Sequence, residues 1–211
     1  MIQLLLLLLV LSWVFYRKNE SYVVINSNKK NIPHEISAYQ QKSKSDNYGF
    51  IPRSLYPEIV NISNKHCKKI IKEFKEQGGD KIFNGIPKKG GCRYIHLIKD
   101  NETQSAADQF PLIMKLIRKI PNLKHASLSC LTPKTRTKVH NKHENGLYRA
   151  HIPLQIPDGK CGICVEKQCR SWKLHNFLLV DENMMHQVWN NSNQNRVVLL
   201  LDVKQVDFKK D

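Results

Sequence analysis

Three side chains in this 211-residue sequence could do chemistry together: the imidazoles of His151 and His186 and the guanidinium of Arg196, ten residues beyond His186. Neutral imidazoles are good ligands for a first-row divalent metal, and a guanidinium offers a planar pair of N–H donors to a carboxylate. A single strand histidine is more often a hydrogen-bonded structural residue, so the set matters only if the fold gathers it. The local pattern permits this. Across Leu147 to Ile156, Tyr148, Ala150, Ile152, Leu154 and Ile156 share one face, while Arg149, His151, Pro153 and Gln155 share the other. If the apolar face packs inward, Arg149 and His151 look to solvent or into a polar lumen. His186 and Val188 share a face of the next such run, as do Arg196, Val198, Leu200 and Asp202 of a third.

The elements that must position these residues follow from periodicity. Alternation in 126–132, 147–156, 161–166, 176–181, 185–189 and 196–203, separated by turn residues, predicts an antiparallel sandwich or small barrel. Ahead of it, Ser63 is expected to cap a helix with Cys67, Ile70, Ile71 and Phe74 on one stripe, ended by Gly78 and Gly79. A second helix is expected after Pro111, with Leu112, Ile113, Leu116, Ile117 and Ile120 inward and Lys115, Arg118 and Lys119 outward. The expected class is mainly β with flanking helices, in one domain over residues 49–211.

The remainder of the chain has other signals. Residues 19–48 are rich in Asn, Ser and Lys and read as a tether. The uncharged run Ile2 to Tyr16, closed by Arg17 and Lys18, makes residues 1–18 an expected uncleaved anchor helix and the protein a single-pass membrane protein. Sequons at Asn19, Asn61, Asn101 and Asn190 favour a lumenal domain, whereas Arg17 and Lys18 favour the cytoplasmic side; the lumen is the expectation taken here. A hydrophobic content of 41% excludes a disordered chain, and 34 basic against 18 acidic residues give +16, which calls for an acidic partner. Cys161, Cys164, Cys169 and His175 approximate a zinc knuckle, the mark of a nucleic-acid-binding module. Their order is wrong for a knuckle and they lie between strands, so structural or disulfide cysteines are the plainer reading and nucleic acid is not the expected partner.

Several stretches then agree, in order and spacing, with one family. LTPKTRTKVH (131–140), Asn145, Arg149 and His151, LLVDENMMHQVWN (178–190), and Arg196 followed by VVLLLDV resemble the aspartyl/asparaginyl β-hydroxylases, with weaker similarity through CRYIHLI and QFPLIMKLIRKIP. The resemblance implies a double-stranded β-helix of the jelly-roll or cupin kind that uses Fe(II), 2-oxoglutarate and O2. It implies His151 and His186 as iron ligands and Arg196 as partner of the far carboxylate of 2-oxoglutarate, with Arg149 and His140 on the cosubstrate side. Implied substrates are the β-carbon of Asp or Asn in a polypeptide or the acyl chain of a lipid; the rival is a non-catalytic module that binds an acidic partner. Lys134 departs from the family pattern, in which glycine is usual, and the basic residues that the family sets near the cosubstrate are not obvious over Cys161 to Cys169. His151-Ile152-Pro153 lacks the carboxylate that many 2-oxoglutarate oxygenases place two residues after the first histidine; the aspartyl hydroxylases lack it too, with glycine at this place.

Overall fold

The computed structural model describes residues 49–142, 146–158 and 161–206. The expected anchor and tether fall outside the described residues, among which no helix is long and apolar enough to cross a membrane.

Two short α-helices, α1 (Pro57–Asn61) and α2 (Cys67–Glu76), precede the strands, and a third, α3 (Pro111–Ile117), lies between the second and third strands. The strands are β1 (Cys92–Lys99), β2 (Glu102–Thr103), β3 (Leu123–Leu131), β4 (Thr135–Arg136), β5 (Leu147–Gln155), β6 (Cys161–Val165), β7 (Gln168–Ser171), β8 (Leu178–Val180), β9 (His186–Asn190) and β10 (Arg196–Lys204). Among the described residues they form a six-stranded sheet, ordered β2-β1-β3-β10-β5-β8, and a four-stranded sheet, ordered β4-β9-β6-β7. The pairings are antiparallel.

Period-two alternation is what makes the large sheet two-sided. Tyr148, Ala150, Ile152 and Leu154 of β5 join Leu128 of β3 and Leu199 and Leu201 of β10 in a core with Ile70 and Phe74 of α2 and Ile113 and Ile117 of α3. Fully burying a side chain such as Phe74 contributes about 1.5–3 kcal/mol. The opposite face meets the small sheet through Leu131, Ile163, Val165, Val188, Val198 and Leu200. Register then fixes the polar residues on this inner face: Asp202 lies opposite Arg149, and Leu200 opposite His151.

The first expected helix forms over its apolar stripe, Cys67–Glu76, but differs from the sequence expectation at its start. Ser63 caps nothing: it is buried within a π-helical turn, Ile62–His66, and its hydroxyl donates to the carbonyl of His175 at 3.2 Å. Helical structure instead begins at Pro57, whose fixed φ and missing N–H suit a first turn. The helix after Pro111 forms as expected, and its N-terminus is satisfied from afar, since Glu73 of α2 accepts the N–H groups of Leu112 at 2.7 Å and Ile113 at 2.8 Å. That carboxylate ties α2 to α3.

Two glycines and a lysine fix close approaches. A Cβ on Gly162 would lie 2.5 Å from the Trp189 ring and 2.8 Å from the Arg170 carbonyl, so β6 can pass beneath Trp189 only without a side chain there. Gly49, at φ +72°, packs its α-carbon against Val165. Lys134 has φ 53°, the left-handed conformation that accounts for glycine being usual at its place.

Cys164 and Cys169 form a disulfide across the β6–β7 hairpin. The zinc-knuckle alternative fails on this, because two of its thiolates are used on each other, Cys161 is buried on the inner face and His175 is exposed.

Candidate active site

Between the two sheets lies a cavity of about 310 Å³. Strands β5 and β10 supply Arg149, His151, Arg196 and Asp202 to its wall, and β9 with the segment before β5 supplies His186 and His140. The structure therefore brings His140, Arg149, His151, His186 and Arg196 to one site. Asn145 lies outside the described residues.

His186 is 3% exposed, and its Nδ1 donates to the carbonyl of Met184 at 2.9 Å. Because a carbonyl only accepts, this fixes the tautomer and leaves Nε2 as a free electron-pair donor. Burial pushes its pKa down to about 4, against the pull of Glu182, so the ring is neutral at physiological pH. His151 is equally buried, and neither ring nitrogen has an aligned hydrogen-bond partner among the described residues. Burial lowers its pKa as well, with Glu182 opposing. The ring of His140 lies 4.3 Å from that of His186, and the two backbones pair through reciprocal hydrogen bonds of 3.0 and 2.8 Å.

Arg196 is 2% exposed, with Nε and Nη1 unpartnered among the described residues. Trp172 lies against it, 4.5 Å from ring centroid to guanidinium carbon, and also stacks near-parallel to His151 at 5.9 Å. One indole plate thus braces both groups. A buried guanidinium with unmet donors beside a cavity is an anion receptor, since leaving charged N–H groups dry and unbonded is costly.

Arg149 has a different environment. It pairs bidentately with Asp202, Nε to Oδ1 at 2.5 Å and Nη2 to Oδ2 at 2.7 Å, while Nη1 reaches Glu182 Oε2 at 2.6 Å. Lys142 adds a 3.0 Å contact to Asp202. Burial alone would lower the Arg149 pKa, but the two carboxylates outweigh it and hold it well above the ordinary value. Burial would likewise raise Glu182, yet Arg149 and the neighbouring histidines hold it well below the usual carboxylate range. Glu182 Oε1 faces the two imidazoles, 3.3 Å from His151 Nε2 and 3.9 Å from His186 Nε2.

The donors fit a divalent metal in chemistry: His151 has orphaned buried nitrogens, and His186 has its far N–H tied to a carbonyl, the usual support of a ligating imidazole. Among the described residues no group of three or more His, Cys, Asp and Glu side chains forms a ready-made metal cage. Glu182 and Trp172 are the site residues that sequence reasoning missed. Glu182 sits in a turn with no periodic signal, and Trp172 declares its role only through the sheet-to-sheet packing.

The family model described as aspartyl/asparaginyl beta-hydroxylase matches residues 60–206. The chain is 33% identical over 88 residues to an ornithine lipid ester-linked acyl 2-hydroxylase of Rhizobium tropici, covering 41% of this chain and 31% of that protein. It is 29% identical over 75 residues to the aspartyl/asparaginyl beta-hydroxylase of Mus musculus, covering 36% of this chain and 10% of that protein. The match thus spans a third or less of these relatives. Among solved structures, the cupin domain of Schizosaccharomyces pombe Cnp3 aligns with TM-score 0.37 and 11% identity over 54% of this chain and 65% of that one. A Cupin_2 domain of an XRE-family transcriptional regulator from Enterobacter cloacae aligns with TM-score 0.39 and 10% identity over 55% and 99%.

Proposed function

Because the chain belongs to the aspartyl/asparaginyl β-hydroxylase family, we propose that it is a dioxygenase dependent on Fe(II) and 2-oxoglutarate that hydroxylates the β-carbon of Asp or Asn in an acidic polypeptide. The observation that carries this reading is the convergence of two metal-competent imidazoles and a buried, unpaired guanidinium on one cavity. His151 and His186 would hold the metal. When bound with 2-oxoglutarate and O2, it supplies oxidation of an unactivated C–H bond coupled to conversion of 2-oxoglutarate into succinate and carbon dioxide.

The chain's own residues do the rest. Arg196 receives the far carboxylate of the cosubstrate through charge-assisted, planar N–H donors. Trp172, against both Arg196 and His151, keeps the anion receptor and the first ligand at a fixed separation. The hydroxyls of Ser127, Ser129 and Thr137 line the same cavity and can orient bound oxygens. Burial of these groups excludes water and strengthens each pairing. Lys89 and Lys99 at the cavity lining, in a chain of net charge +16, favour an acidic substrate.

The identity to the R. tropici enzyme favours a second reading, hydroxylation of a lipid acyl chain by the same site. Residues 1–18 anchoring the domain to a membrane would suit that substrate. For the domain itself we propose a lumenal location, supported by the Cys164–Cys169 disulfide, since such bonds persist in oxidising compartments.

Purified protein given Fe(II), 2-oxoglutarate and O2 is expected to release succinate, and gain of one oxygen atom on an acidic peptide or on an acyl lipid separates the two substrates. Absence of succinate release with metal bound would leave the non-catalytic binding module in its place.

A further inference from the structure

We propose that the Cys164–Cys169 disulfide is a thiol-exchange site that governs cosubstrate binding through Trp172; this rests on the reading of Arg196 as receptor of the far carboxylate of 2-oxoglutarate. The disulfide joins β6 to β7, and the register sets its two cysteines directly opposite each other. In the small sheet β7 is the outermost strand and pairs with β6 alone among the described residues, from Gly162 opposite Ser171 to Val165 opposite Gln168. An edge strand this short gains little from its own ladder, so the covalent link is its firmest tie to the sheet.

Trp172 follows β7 directly and is the one buried residue in the run 169–176. Its indole lies 4.5 Å from the guanidinium carbon of Arg196 and 5.9 Å from the ring of His151. Alternation along the strand puts Trp172 among the residues between the sheets, beside Phe50, over which Arg170 also lies at 4.1 Å. Cys164 packs instead with Trp189 in a separate cluster, and Cys169 is exposed. A reductant therefore reaches the sulfur pair from the outer face without entering the cavity, while the residue that the pair steadies stands against the anion receptor.

The co-reactant is a dithiol. One of its thiolates attacks the exposed sulfur of Cys169, the Cys164–Cys169 bond breaks, and Cys164 leaves as a thiolate that takes a proton from water. The second thiolate of the donor then attacks the mixed disulfide and releases Cys169, which is protonated in turn. The chain gains two electrons and two protons, and the dithiol becomes a disulfide. With the bond open, β7 is held by its ladder alone and Trp172 no longer stands fixed against Arg196, so binding of the carboxylate has to order both groups first.

The test uses the full chain loaded with Mn(II) under argon in three states: oxidised, reduced with dithiothreitol that is then removed by gel filtration, and reduced then reoxidised. Iodoacetamide labelling reports the thiol of Cys169, circular dichroism the fold, and calorimetry the affinity for 2-oxoglutarate. Reduction is expected to expose the Cys169 thiol, to leave the β-sheet signal in place and to weaken 2-oxoglutarate binding at least about fivefold, with recovery on reoxidation. Trp172→Ala, left oxidised, is expected to bind as weakly as the reduced parent and to respond no further to reduction; should it not fold, Trp172→Leu, which fills the space without a ring plate, takes its place. The inference is overturned if Cys169 stays unlabelled after reduction, if reduction unfolds the domain, if the reduced chain binds within about twofold of the oxidised one, or if the Trp172 variant still responds to reduction. Arg196→Ala separates the two readings. If it loses 2-oxoglutarate binding while reduction of the parent changes nothing, the exchange site falls and the cosubstrate reading stands; if it binds as the parent does, both fall.

Discussion

At the scale of single residues the sharpest consequence concerns Arg196. Removing a charge-assisted pair in a dry site costs about 2 kcal/mol, which is roughly 30-fold in affinity. Arg196→Ala is therefore expected to raise the apparent KM for 2-oxoglutarate about 30-fold while metal content, measured by elemental analysis, stays as in the parent chain. An unchanged KM would remove Arg196 from the cosubstrate. The residues of this site were unequally legible. His151, His186 and Arg196 could each be set on one face of a strand because alternation is local, but alternation leaves open whether that face meets solvent or a lumen, and the register that puts Arg149 opposite Asp202 appears only in the sheet. Glu182 could not, because its role comes from a turn that folds back onto two separate strands, a relation that no spacing in the sequence encodes.

At the scale of elements, the β6–β9 pairing depends on a missing side chain. Gly162→Ala would drive a methyl group to within 2.5 Å of the Trp189 ring and 2.8 Å of a main-chain carbonyl, and the latter cannot step aside as a side chain can. Overpacking of this kind destabilises by about 1–3 kcal/mol, so thermal denaturation should show a melting temperature lowered by several degrees. A second test belongs to the helices. Glu73→Ala leaves the first N–H groups of α3 without their acceptor and is expected to cost about 1–3 kcal/mol, seen as a lower urea midpoint; an unchanged midpoint would mean that the clasp between α2 and α3 contributes nothing net. The long strands β3, β5 and β10 were readable because each has one continuous apolar face. Strand β1 was not, since its inner face carries Tyr94 and His96 toward the cavity and its register shifts between His96 and Ile98. The first expected helix forms over its apolar stripe, Cys67–Glu76, but its cap was misread because Ser63, a good cap by type, is used for a tertiary bond instead.

At the scale of the whole molecule, the buried histidines link folding to pH. The folded pKa of His186 is about 4 and that of His151 is also lowered, whereas an unfolded histidine titrates near 6.5. Between those values the unfolded chain binds more protons, so stability is full above about pH 6.5 and falls as pH drops toward 4. Glu182 and Asp202, whose pKa values are lowered in the fold, add their loss only below the ordinary carboxylate range near 4. Urea unfolding of the metal-free protein at about pH 7.5 and about pH 5 should therefore differ by on the order of 2 kcal/mol, the acidic sample being the weaker. A midpoint that holds or rises on acidification would contradict neutral burial of these rings.

One of the sequons deserves a different reading from the others. Asn61 and Asn101 are exposed, but Asn190 is fully buried; its amide donates to the carbonyls of Leu131, Thr132 and Gln194 and its oxygen accepts from Ser192. The tripeptide that would recruit an oligosaccharide is, in the native protein, the knot that closes the β9–β10 connection. Sugar transfer and loop closure thus compete for one amide nitrogen, and whichever happens first excludes the other. In a eukaryotic secretory pathway the glycan state of Asn190 would be a record of timing: sugar-free on molecules that folded promptly, occupied on those whose C-terminal hairpin was late and that can no longer close it.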